Sequence, residues 1–317
     1  MRTITALFVG LGSIGTRHLK NLANLCADRG WTLQADALRS DLTRPLRPGA
    51  AELLHAQYTD PAAAPAHYDM VFITNPTSLH AEALRQVKGR GEALFIEKPI
   101  FSAEQTGLAL DELLPAGQKA YVAAPMRWCG AMLALKDRLP ALHPYCARVI
   151  CSSYLPDWRP GVDYRTVYSA HKAMGGGVTI DLIHEWDYLV ELFGVPEKLY
   201  NFKGTYSELE IDSDDLSVYI AKYPTLLAEV HLDYFGRGYR RSIELFCRDG
   251  SYLADFGAGT LTLPDGTVQH YEEDVNRRYE REMEYFVDYA LTGCGESCNP
   301  PALALKVLKL TLGENVQ

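Results

Sequence analysis

Lys98 stands in the stretch FIEKP (95–99), where an apolar run gives way to Glu97, Lys98 and Pro99. A lysine leaving a buried strand, with proline keeping the chain extended, can reach a substrate oxygen and stabilise negative charge on it. A second stretch with reactive side chains is AMGGGVTIDLIHEWDYLVELFG (173–194), which sets Asp181, His184, Glu185, Asp187 and Tyr188 among long apolar residues. Plotted as one helix over 178–193, at about 100° per residue, Leu182, Trp186, Leu189 and Phe193 fall on one stripe. Asp181, His184, Glu185 and Tyr188 gather on another side. Such a face is either a solvated surface or a reactive one, and periodicity leaves both open. Gly175, Gly176 and Gly177 open the segment; glycines are costly to order, so the backbone is expected to approach something closely there.

A third stretch is GLGSIG (10–15), with glycines at 10, 12 and 15. It follows an expected strand and opens an expected helix, the setting in which G-x-G-x-x-G receives a pyrophosphate on backbone amides. Gly10, Gly12, Ser13, Ile14 and Gly15 are therefore candidate cofactor contacts. ITNPTSLH (73–80) and FIEKP would end neighbouring strands at the same carboxyl edge, which adds Thr74, Asn75, Pro76, His80, Glu97 and Lys98. At the end of the second strand, TLQADALR (32–39), NAD sites usually place an acid. Here Leu38 is followed by Arg39 and Ser40, a charge and a hydroxyl that suit a 2′-phosphate. Asp36 should lie within the strand and Asp41 comes late, so NADP is the expected cofactor, with NAD the alternative.

The elements that must position these residues alternate over the first third of the chain. Strands are expected at 4–10, 32–39, 69–76, 93–99 and 119–126, with helices at 13–29, 79–91 and 102–114. That alternation implies a parallel, doubly wound sheet. After about residue 140 longer strand-like runs follow at 147–154, 216–223, 226–235 and 240–247, separated by turns such as RDGS and PDG. The expected architecture is an α/β chain. A dinucleotide-binding Rossmann domain fills 1–123, and an α+β domain with a mainly antiparallel open sheet fills 124–317. The second domain would bind substrate and mediate oligomerisation, its open face burying apolar area in a homo-oligomer.

Composition narrows the partners. The net charge is −9, which disfavours a broad phosphate-binding surface and hence nucleic acid. No apolar run is long enough to span a membrane, and the N-terminus reads as a buried strand rather than a leader. Seven scattered cysteines, with Cys294 and Cys298 the one close pair, match no common zinc spacing; a cytoplasmic protein with reduced thiols is expected. No metal is required.

GLGSIG with its following histidine, the NP…H turn, EKP and the glycine-led Asp/His segment occur in this order, and together they resemble the Gfo/Idh/MocA oxidoreductase family. YLPDWRPGVDYRTVYSAHKAMGGG is similar to a sugar-related branch of it. The resemblance implies a Rossmann domain followed by an open sheet, and hydride exchange between NAD(P) and a sugar, polyol or nucleotide-sugar. It implies that Lys98 bonds the reacting oxygen, that His184 is the general base or acid, and that Asp181 is its helical neighbour. Many relatives separate that Asp and His by four positions rather than three, and commonly carry histidine where this chain has Cys129. In WRPGVDYR, Arg159, Tyr164 and Arg165 either grip polar substrate groups or pack between loops, and Tyr188 is a further substrate candidate. Two other functions for such a chain are a nucleotide-sensing regulator and a nicotinamide-retaining epimerase or lyase.

Overall fold

The computed structural model describes residues 2–316. Two compact units divide the chain: the stretch up to Ala123 with Tyr279–Leu305, and Ala124–Arg278 with the stretch from Lys306 onward.

The first unit is built on β1 (Thr3–Val9), α1 (Ser13–Asp28), β2 (Thr32–Leu38), β3 (Leu54–Tyr58), β4 (Tyr68–Ile73), α2 (His80–Gln86), β5 (Gly91–Ile96), α3 (Leu110–Leu113) and β6 (Lys119–Val122). The six strands run parallel in the order β3-β2-β1-β4-β5-β6. Winding reverses between β1 and β4, so their carboxyl ends open the crevice where such sheets bind ligands. β1, β4 and β5 each close on four consecutive buried residues, the continuous burial of strands covered on both faces. Phe8 stacks on Phe72 at 4.4 Å between centroids, and Phe286 meets Phe72 and Phe95 edge-on at 5.4 and 5.2 Å. Covering these rings is what draws Tyr279–Leu305 to this unit, although the sequence reading assigns all of 124–317 to the second domain. Each fully buried ring contributes about 1.5–3 kcal/mol.

Two elements differ from expectation. β3 was not anticipated, because LHAQY has few apolar residues and alternates between half-buried and exposed positions. The helix expected over 102–114 is a capped 3-10 turn at Ala103–Gln105 and then the single turn α3; Gly107 between them disfavours helix continuation.

The second unit begins with α4 (Gly130–Arg138) and β7 (Cys146–Tyr154), then α5 (Val178–Asp181) and α6 (His184–Phe193). Seven strands follow: β8 (Lys198–Gly204), β9 (Leu216–Lys222), β10 (Leu227–Asp233), β11 (Phe235–Cys247), β12 (Gly250–Asp255), β13 (Thr260–Thr262) and β14 (Val268–His270). They join β7 in an eight-stranded sheet ordered β14-β13-β12-β11-β7-β10-β9-β8, antiparallel throughout except for the β7–β10 pair. Burial alternates along β7 and β10, so one face packs and the other stays open. α6 covers the packed face, with Trp186 edge-on to Tyr219 of β9 at 5.1 Å. The chain ends through α7 (Asn276–Thr292) and α8 (Pro301–Thr311). Among the described residues no helix is long and apolar enough to cross a membrane, and all seven cysteines are free.

Candidate active site

At the carboxyl edge of the first sheet, the glycine turn follows β1 directly. Gly10 has φ +88°, and a Cβ there would sit 2.8 Å from Asn75 Cα. A Cβ on Gly15 would lie 2.6 Å from the Gly10 carbonyl and 2.7 Å from Thr74 Oγ1, which itself donates to Gly10 O at 2.6 Å. Two of the glycines are thus demanded by the protein. Gly12 is not: its φ of −72° suits any residue, and a Cβ there would meet nothing within 4 Å. Open space over the N-terminus of α1, which has neither a side-chain cap nor an acid in its first turn, fits a bound pyrophosphate. Asn75 Oδ1, buried at this edge without a partner, is a further free acceptor there.

The end of β2 carries the residues that would meet a ribose. Arg39 is half-buried and Ser40 exposed; Arg39 Nη1 donates to Gln57 at 2.7 Å and Nη2 to the Arg44 carbonyl. Asp36 lies inside the strand, accepting from Tyr68 Oη at 2.8 Å and bonding His55 at 3.1 Å. Asp41 caps the backbone N–H and hydroxyl of Thr43, which hold its carboxyl below the usual range.

Beyond β5 the EKP turn places Lys98 half-buried, with Glu97 and Pro99 turned inward and the Lys98–Pro99 peptide cis. Two expected cofactor contacts engage the protein here. Glu97 Oε1 meets His18 Nε2 at 2.6 Å, and its Oε2 accepts the Lys98 N–H at 3.0 Å. Burial works to raise the Glu97 carboxyl, but the His18 hydrogen bond and charge, with Lys98, outweigh it and hold it low. His80, wholly buried, has Nδ1 3.1 Å from Ile100 O and Nε2 3.0 Å from Asn75 O; burial depresses its pKa against the pull of those carbonyls. Pro76 is exposed at the mouth of the turn.

In the second unit, the expected single helix is broken. α5 ends at Asp181, Leu182 takes φ −98° and ψ 32°, and α6 opens on His184. Ile183 and Glu185 bond three residues back, the tighter winding of a 3-10 turn, so the wheel drawn across 178–193 loses its phase. Glu185 and Tyr188, expected on the polar side, are fully buried. Glu185 is held by Arg241 of β11 at 2.7 and 3.0 Å, and Asp187 by Arg127 at 2.8 Å through two nitrogens. Arg127 also reaches Glu191 at 2.6 Å. Tyr188 lies edge-on to Phe256, its hydroxyl buried without a partner and its pKa pushed well up by burial and the Glu185 charge. His184 is half-buried at the first position of α6.

The glycines before α5 make the close approach their cost suggested, and what they approach is this chain. A side chain on Gly176 would collide with the Tyr168 carbonyl, and one on Gly177, at φ +130°, with the Asp214 carboxylate. Asp214 in turn caps the amide of Thr179 at 2.9 Å. This packing brings Tyr168 and Ser169 onto Asp181. Asp181 Oδ1 accepts from Tyr168 Oη at 2.8 Å, and Oδ2 accepts from Ser169 Oγ and Tyr234 Oη, both at 2.6 Å. Burial and the Asp181 charge raise both phenols, which stay protonated donors. Arg159 stands over the Tyr168 ring at 5.8 Å, whereas Arg165 is committed to Asp163 and Glu210, and Tyr164 Oη accepts from the Glu210 amide at 3.2 Å. Of the WRPGVDYR residues, Arg159 joins the Asp181 cluster over Tyr168, and Trp158 joins it edge-on to Tyr234 at 5.2 Å. Cys129 is buried, and burial raises its thiol.

Sequence reasoning left Tyr168, Ser169, Tyr234, Arg127 and Arg241 unassigned. Tyr168 and Ser169 precede the glycines closely enough to have been suspected; the others lie dozens of residues from their partners. Among the described residues no group of three His, Cys, Asp or Glu converges as a metal site.

Residues 4–123 match the model of an oxidoreductase family with an NAD-binding Rossmann fold, Gfo/Idh/MocA. Over this segment the chain is similar to the Gfo/Idh/MocA family. No curated protein sequence is significantly similar to the chain. Solved structures show the same fold over nearly its whole length. An oxidoreductase from Agrobacterium radiobacter, in complex with NAD+, L-tartaric acid and magnesium, superposes with TM-score 0.80 at 17% identity, covering 98% of this chain and 95% of that one. A UDP-N-acetylglucosamine 3-dehydrogenase from Acidithiobacillus ferrooxidans gives 0.72 at 18%, covering 99% and 97%. A myo-inositol 2-dehydrogenase from Lactobacillus plantarum gives 0.75 at 19%, covering 98% and 96%.

Proposed function

We propose that the protein is an NADP-preferring oxidoreductase acting on a carbinol of a sugar, polyol or nucleotide-sugar. The observation that carries this reading is Lys98, half-buried at the carboxyl edge of a dinucleotide-binding sheet whose Gly12 keeps an open cradle over α1. The substrate class is supported by the fold relatives, whose named ligands and substrates, tartaric acid, UDP-N-acetylglucosamine and myo-inositol, are all polyhydroxylated.

Gly10–Gly15, Thr74, Asn75 and Pro76 would hold the dinucleotide, with Arg39 and Ser40 at its ribose. Bound there, the nicotinamide supplies a hydride acceptor. In the oxidative direction His184, as the neutral imidazole, takes the hydroxyl proton, and the Lys98 ammonium stabilises the alkoxide as hydride leaves the carbon. Asp181 favours the useful tautomer of His184, while its hydroxyl partners and Arg159 shape the substrate end. Preference for NADP rests on the buried placement of Asp36, bonded to Tyr68 and His55, and on the basic and hydroxyl side chains at the end of β2: Arg39, which bonds Gln57 and the Arg44 carbonyl, exposed Ser40 and exposed Arg44. Arg39→Ala should weaken NADPH binding about 10-fold or more and leave NADH unchanged; unchanged NADPH affinity removes the assignment.

The open face of the second sheet, with Tyr200, Phe202, Ile220 and Leu227 exposed, is assigned to a homo-oligomer. A monomer by light scattering would remove that assignment. The reaction itself is tested by screening sugars, polyols and nucleotide-sugars for nicotinamide reduction. On the substrate found, Lys98→Ala and His184→Ala should each lose about 10²–10⁴-fold in kcat, and near-normal turnover in either refutes the mechanism.

A further inference from the structure

We infer that His18 and His80 are positioning residues that set the direction of the Lys98 side chain. The inference rests on the reading of Lys98 as the group at the reacting oxygen. The sheet ladder holds the chain only as far as Glu97, whose N–H donates to Ile73 O at 2.9 Å, while Ala123 N–H reaches Ile96 O at 2.8 Å. Beyond that point Pro99 has no N–H to offer, so Lys98 leaves the sheet without ladder bonds. Two side chains replace them. The Lys98 N–H is taken by Glu97 Oε2, and Glu97 is fixed by His18; the Ile100 carbonyl faces His80 Nδ1. The backbone on both sides of Lys98 is therefore restrained by a buried imidazole.

The chemistry of each ring argues for this role over packing. His18 is wholly buried one helical turn after Gly15, its ring tilted against Phe95 at 4.7 Å. Its Nε2 faces a carboxylate and so carries the proton, and its Nδ1 is buried without a partner. An apolar side chain would fill that space without stranding a polar nitrogen; the imidazole is of use through Glu97. His80 lies between two carbonyls, Asn75 O and Ile100 O, and as the neutral imidazole donates to one of them, so its ring spans the turn after β4 and the turn after β5. Thr74 carries the connection on to Gly10 O. The three strand-end turns that would hold the dinucleotide and Lys98 are thus linked to one another through side chains.

Amide replacements separate the two ring nitrogens. Glutamine offers a donor near Nε2 and asparagine one near Nδ1, so His18→Gln should preserve the Glu97 bond and His18→Asn should lose it. The full-length variants are compared in kcat and KM on the substrate found by the sugar screen, in NADPH affinity by fluorescence, and in the acetylation rate of Lys98 by acetic anhydride, read on its peptide by mass spectrometry. His18→Asn is expected to lower kcat about 10-fold or more, a misplacement effect. It should leave NADPH affinity within about threefold and shift Lys98 acetylation by about fivefold or more, with His18→Gln close to wild type in every readout. Unchanged kcat and acetylation in His18→Asn, or equal losses in both variants together with equal loss of melting temperature, would overturn the inference. Should His18→Asn not fold, His80→Asn against His80→Leu gives the same contrast, because asparagine offers a donor where Nδ1 faces the Ile100 carbonyl. The oxidoreductase reading fails separately: Lys98→Ala would then retain turnover while the acetylation shift in His18→Asn persists.

Discussion

The two candidate segments are held by different kinds of forces. The EKP turn lies at the end of a parallel strand, and its restraints come from side chains in two other strand-end motifs: His18, three residues after Gly15, reaches Glu97 across 79 residues, and His80, five after Asn75, reaches Ile100 across 20. α6 is held by arginines outside any such motif, Arg241 and Arg127, which grip Glu185 and Asp187 across 56 and 60 residues. The first segment is positioned mainly by backbone and neutral or singly paired groups. The second is positioned by buried ion pairs, which are costly to form and costlier to break by halves. The two should therefore fail in different ways.

The largest effect is expected at α6. Arg127→Ala leaves Asp187 without its two-nitrogen partner and Glu191 with Lys136 alone, and should cost about 3–5 kcal/mol of stability by urea unfolding. A loss under 1 kcal/mol, on the order of an exposed pair, would show that burial adds nothing there. Next comes Gly15→Ala, whose methyl meets backbone and Thr74 and should cost about 1–3 kcal/mol by overpacking. Gly12→Ala sharpens the contrast: stability should change by no more than about 0.5 kcal/mol, while cofactor affinity falls because the methyl enters the open cradle. Equal behaviour of the two alanines would mean that the space over Gly12 is not the ligand's.

The smallest effect is a pH term. Glu97 is held below the ordinary carboxylate range in the folded chain. Its contribution is fully present above the unfolded value of about 4.3 and is lost as pH falls through the folded value. Glu97→Gln should therefore flatten the acid limb of the stability curve below about pH 4. An acid limb of the same slope in both proteins would contradict that assignment.

The same contrast explains what could be read in the sequence. The parallel sheet and its glycine turn were legible because continuous apolar runs, a fixed glycine pattern and strand-ending motifs all constrain the backbone locally. β3 escaped because an edge strand needs little apolar patterning, and Tyr279–Leu305 escaped because nothing local says which sheet Phe286 will cover. Over 178–193 the residue types pointed to an unusual polar face, yet a single wheel could not foresee the break at Leu182. It therefore placed Glu185 and Tyr188 on the wrong side. The glycines were understood in kind but not in partner: they make room for Tyr168 and Asp214. The hydroxyls gathered on Asp181 come from Tyr168, Ser169 and Tyr234, and only the first two stand near it in sequence.

The central proposal is that Lys98, set by a turn, and His184, set by an ion-paired helix, are both required for the same proton transfer. The direct test is turnover by Lys98→Ala, His184→Ala and the double variant on the substrate identified in the screen. Two groups acting on one proton transfer should be non-additive. The account predicts a steep loss in each single variant and scarcely any further loss in the double. Near-normal turnover in either single variant, or losses that simply multiply in the double, would contradict it.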